Sequence, residues 1–72
     1  MFTVIEVQEN QGQVGVLSYS YETENEALAQ YYQILFYASS SSIERHSAIM
    51  IRNGYVEHND CINHPTDEGT AE

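Results

Sequence analysis

Arg45, His46 and Arg52 carry nearly all the positive charge this chain can offer a ligand. Eleven acidic residues stand against two arginines, there is no lysine, and the net charge is −9 at pH 7. Any anion-binding chemistry must therefore run through one short stretch. Arginine grips phosphate or carboxylate oxygens with two parallel hydrogen bonds. The serine run just upstream, Ser39 to Ser42, adds hydroxyls and loop amides that donate to the same kind of oxygen. Ser40, Ser41, Arg45, His46 and Arg52 are accordingly the candidate ligand residues. The run also ends a predicted helix, and a helix C-terminus repels anions. The plainer reading of the same residues is a helix stop followed by a solvated arginine.

Two other groups invite chemistry. Six tyrosines and no tryptophan give the chain its aromatic character. Tyr31 and Tyr32 are the candidates for stacking on a planar base, since tyrosine offers a large ring with a polar tip. Ordinary half-buried packing accounts for the set equally well. His58-x-x-Cys61-x-x-His64 has a spacing found in zinc sites, but four ligands are needed and the chain supplies few others. No metal and no cofactor are expected. The motifs of nucleophilic, phosphoryl-transfer and metalloprotease sites are all missing, so an enzyme is not expected.

The elements that position these residues are readable from pattern. Residues 2–8 and 13–22 read as strands flanking a Gln11-Gly12 turn, with Leu17, Tyr19 and Tyr21 on one face and Val14, Val16, Ser18 and Ser20 on the other. Thr23 to Glu26 reads as a capping box, with the Glu26 side chain returning to the Thr23 amide. A helix over about 24–39 follows, with Ala27, Tyr31, Ile34, Leu35 and Ala38 facing the core. Leu28, Tyr32 and Phe36 form a second apolar stripe one residue round. That stripe is expected to be an oligomer interface, because one small sheet cannot cover both. Residues 46–52 and 55–60 read as strands around Asn53-Gly54, a type I′ hairpin signal that places Met50 opposite Glu57. The predicted fold is α+β: a ββαββ chain, with a four-stranded antiparallel sheet and one helix packed on a face, assembled as a homo-oligomer. The domain is expected to span 1–61, and 62–72 to be a mobile acidic tail.

Composition sets further bounds. A chain this acidic cannot neutralise a run of phosphates, which argues against duplex nucleic acid. With one cysteine no disulfide forms within the chain, and a lone thiol suits a reducing compartment. No segment resembles a signal peptide or a membrane span. A soluble protein of the cytoplasm, without membrane partners, is expected.

The stretch from Asn25 to Gly54 carries a resemblance. The opening M-x-x-V-I-E-V-Q over Met1 to Gln8, the helix pattern N-x-A-x-x-x-Y-x-x-x-L-x-x-A at Asn25, Ala27, Tyr31, Leu35 and Ala38, a serine loop at Ser41, and His46-Ser47-Ala48 opening a strand are similar to short proteins of Firmicutes phages and prophages. The likeness covers about residues 1–61. Relatives often carry lysine and histidine where this chain has Gln30 and Tyr32. The resemblance implies an anti-defence protein in an infected bacterial host. One such class sequesters a nucleotide-derived immune signal, such as a cyclic ADP-ribose isomer or cyclic nucleotide, between subunits and without turnover. Here Arg45 and Arg52 would hold its phosphates. A second class is an acidic inhibitor, of nucleic-acid-mimic type, that docks on a host defence protein. A third reading is a phage accessory protein with a structural role only.

Overall fold

The computed structural model describes residues 1–64. The chain runs β1 (Phe2–Asn10), β2 (Gln13–Tyr21), α1 (Glu24–Ser40), β3 (Arg45–Arg52) and β4 (Tyr55–Asn63). The strands form one antiparallel sheet in the order β2-β1-β3-β4. α1 covers one face of it, so the architecture is the expected α+β, ββαββ sheet with a single helix.

Local chemistry accounts for the elements. Both hairpin turns have two central residues in the left-handed region: Gln11 (φ 54) with Gly12 (φ 81), and Asn53 (φ 49) with Gly54 (φ 90). Such turns match the right-handed twist of the flanking strands, and glycine occupies their second central position without steric cost. The Thr23 hydroxyl accepts from the Glu26 amide at 3.3 Å and so caps α1. The Glu26 carboxylate accepts a hydrogen bond from the Thr23 hydroxyl at 3.1 Å, and not from the expected Thr23 amide. Thr23→Ala should cost about 1 kcal/mol. For a domain of this size that is a fall in Tm of about 4–8 °C, measurable by circular dichroism.

The register departs from the expected one on β4. Met50 pairs with His58, because Glu57 is an extra residue in a bulge beside the Ile51–Val56 pair. The extra residue shifts the alternation beyond it by one, so His58, Asp60 and Ile62 share the helix face with Met50, Ala48 and His46. β4 also continues past residue 61, since Ile62 pairs with His46 and Asn63 with Arg45. These two residues therefore belong to the sheet and not to a tail. The rest of the expected tail, from residue 65, lies outside the described residues.

The core lies between α1 and the sheet. Phe2, Val4, Ala48 and Met50 come from the two central strands, and Ala27, Tyr31, Ile34 and Ala38 from the helix. Leu35 and Leu28 pack at its border. Leu28 is therefore partly a core residue, and the second stripe narrows to Tyr32 and Phe36, joined by Tyr37. The opposite sheet face has no element of the described chain across it. Alternation places Ile5, Val7, Val14, Val16, Ile49, Ile51 and Val56 there. No helix among the described residues is long and apolar enough to cross a membrane.

Candidate functional site

The expected ligand residues do not meet at one place within a chain. Arg45 and Arg52 stand at opposite ends of β3. Seven positions apart, they also fall on opposite faces, because side chains alternate along a strand. Arg52 lies on the helix face, its guanidinium 4.8 Å from the centre of the Phe2 ring. It donates to Glu57 at 2.8 Å and contacts Glu24 at 3.0 Å. Hydrogen bonds to these two carboxylates, Glu24 foremost, raise its pKa further. Arg52 is thus a tie between the start of α1 and the β3–β4 hairpin. Arg45 sits on the open face near Glu9 at 3.4 Å, with 66% of its side chain exposed.

His46 is buried at 3% exposure, and its Nε2 meets the Glu6 carboxylate at 2.5 Å. The Glu6 carboxylate also accepts from the Gln8 amide at 2.8 Å and the Tyr19 hydroxyl at 3.3 Å. Burial pushes the Glu6 carboxyl upward, but hydrogen bonds from His46, Gln8 and Tyr19 outweigh it and hold the pKa below its ordinary value. The Tyr19 hydroxyl is raised by desolvation and by the Glu6 charge. His46 Nδ1 is buried without a partner among the described residues. This set is a polar brace within the helix-covered layer, not an imidazole offered to a ligand. Sequence reading missed it because Glu6 and His46 are 40 residues apart. Alternation offers one signal: Glu6 shares the inward face of β1 with Phe2 and Val4, where a lone acid needs a partner.

The serines close the helix. Ser39 and Ser40 donate their hydroxyls to the carbonyls of Phe36 and Tyr37. The Ser41 amide caps Ala38, and its hydroxyl oxygen accepts from the Ile43 amide at 3.0 Å. Carbonyls at a helix end need such donors, and the hydroxyl protons of Ser39 and Ser40 are thereby committed. Tyr31 is 1% exposed and is a core residue, with its hydroxyl on Asp60 at 2.7 Å. Burial and the Asp60 contact raise its pKa. Tyr32 is the exposed member of the pair, edge-on to the Tyr31 ring at 5.3 Å.

The other candidate clusters also separate. His58 lies on the helix face against Tyr31 at 5.4 Å, and His64 Nε2 reaches the Ala38 carbonyl at 2.7 Å. The Cys61 thiol is exposed on the opposite face. No three potential metal ligands gather among the described residues. An open depression of about 470 Å³ lies where the β1–β2 hairpin meets Ile43. It is lined by Gln8, Asn10, Gln11, Gln13, Val14, Gly15 and Ile43, and among the described residues no cation lines it that would attract an anionic nucleotide.

On the helix, the displayed apolar groups are aromatic. Phe36 is 69% exposed, and Tyr32 and Tyr37 are more than half exposed. All three lie on α1 from its midpoint onward, and Phe36 and Tyr37 contact each other at 5.5 Å. Glu24 and Glu26 stand at the helix start. No family model, curated protein or solved structure gives a significant match to the chain.

Proposed function

We propose that the protein works by binding and not by catalysis, docking the exposed aromatic stripe of α1 on a basic protein surface. The observation that carries this reading is the pairing of an exposed Tyr32–Phe36–Tyr37 cluster with a net charge of −9. Aromatic side chains anchor interfaces, while a charge of one sign speeds encounter with the opposite sign and discourages other partners. The C-terminus of α1 adds its own negative dipole end beside Phe36 and Tyr37. The resemblance to phage and prophage chains makes a host defence protein the fitting partner.

Sequestration of a nucleotide-derived signal is the competing reading. It rests on Arg45, whose side chain is mostly exposed and held by one long contact to Glu9. The two readings separate cleanly. Docking predicts a host protein retained by the wild type, released at roughly 1 M salt where screening acts within about 3 Å. Phe36→Glu should lose it, and Arg45→Ala should keep it. Thermal stabilisation by a cyclic nucleotide or a cyclic ADP-ribose isomer, abolished by Arg45→Ala, would overturn docking in favour of sequestration.

A further inference from the structure

The geometry points to self-association through the uncovered sheet face: we propose that its occupant is the same face of a second copy of this chain. The uncovered face is apolar at its centre. Ile5, Val7, Ile49 and Ile51 form the centre of that face, flanked by Val16 on β2 and Val56 on β4. Val16 and Val56 are each about three-fifths exposed. Apolar patches of this extent on a soluble chain mark an interaction surface.

The same face carries little charge. The acids of the described chain lie elsewhere: Glu6 and Asp60 on the helix side, Glu22, Glu24 and Glu26 around the start of α1, Glu57 in the bulge, and Glu44 in the loop before β3. Glu9 is the only acid on the open face among the described residues, and Arg45 beside it offsets its charge. Two chains of net charge −9 repel one another. This near-neutral face is where two copies meet at the least electrostatic cost. A basic partner, by contrast, finds nothing there to recognise.

Four strands of eight or nine residues present about 500 Å² per copy, at roughly 4.8 Å between strands and 3.3 Å per residue. Two copies bury about 1,000 Å², the lower limit for a specific interface. A twofold contact of like faces closes at two chains, and sheets stacked in this way interdigitate their side chains. The oligomer interface therefore lies on the sheet, and the Tyr32–Phe36 stripe stays outward. This inference does not depend on the docking reading.

Sedimentation equilibrium of the full chain in the high micromolar range should give twice the chain mass. Val16→Glu and Ser18→Glu place a carboxylate on this face and should each return the mass of one chain. Ser18 is already polar and exposed, so its variant keeps the test sound if Val16→Glu disturbs the fold. Cys61 lies on the same face and is an internal reporter. Its alkylation should slow severalfold as the wild type is concentrated, and should not slow in Ser18→Glu. Phe36→Glu should leave the dimer intact while removing a docked partner, so the two proposals fail separately. A single-chain mass throughout the concentration range would overturn the inference, as would a dimer that survives both sheet variants or is lost with Phe36→Glu.

Discussion

Tyr31→Ala should leave the chain unfolded at room temperature. Tyr31 is the largest fully buried side chain, and it spans the layer between α1 and the sheet. Its ring meets Tyr32 at 5.3 Å and His58 at 5.4 Å, and its hydroxyl reaches Asp60 on the edge strand. Truncating a buried aromatic to alanine costs about 3–5 kcal/mol. A single core in a chain this short supplies about 3–5 kcal/mol in all. The loss and the reserve are of one size, so the folded population should collapse. Tyr31→Phe keeps the ring and gives up only the hydroxyl. Asp60 is exposed and rehydrates, so that variant should lose about 1 kcal/mol and still melt cooperatively. Urea titration followed by far-ultraviolet circular dichroism separates the two. A cooperative transition for Tyr31→Ala at nearly the wild-type midpoint would show that helix docking contributes little to the fold.

The second large effect belongs to Glu6 and His46. Removing one partner of a buried, hydrogen-bonded pair strands the other, at about 3–5 kcal/mol. Glu6→Ala should therefore approach Tyr31→Ala in severity. Glu6→Leu combined with His46→Leu should recover much of that loss, because the buried imidazole goes with its partner, while Gln8 and Tyr19 are only half-buried and can turn to water. Acid should act through the same carboxyl. Its pKa in the folded chain lies below the ordinary 4.5, so the unfolded chain takes up the proton first as pH falls. The stabilisation is complete above the ordinary value and is lost as pH drops through the folded one. The wild type should weaken across that window, and the double leucine variant should lose this component. Equal acid sensitivity in the two proteins would place the loss at other carboxylates.

The sequence made the elements legible and left their assembly hidden. Asn53-Gly54 and Gln11-Gly12 announce hairpins because few residues adopt φ above zero, and Thr23 announces a helix start through its hydroxyl. These signals act within four residues. The adjacency of β1 and β3 has no such local signal, and neither does the meeting of Glu6 with His46. The bulge at Glu57 was invisible because the turn beside it is regular and points to unbroken pairing. The arginines were misleading for a related reason. Arg52 reads as available until folding brings Glu24 to one side of it and Glu57 to the other. The serines read as a phosphate loop until the helix end claims the hydroxyl protons of Ser39 and Ser40.

The strand order β2-β1-β3-β4 also bears on the time course of folding. Each half of the chain holds a complete hairpin, β1–β2 or β3–β4, that forms from near neighbours in about 1–10 μs. The β1–β3 seam is different, since it joins residues such as Ile5 and Ile49 from opposite halves. Making it requires α1 and its flanking loops to close first, and that entropy is spent before the contacts return anything. The seam is therefore the slow step and the last point of commitment. Until it closes, each chain exposes two open strand edges, β1 and β3, that match those of any other copy still folding.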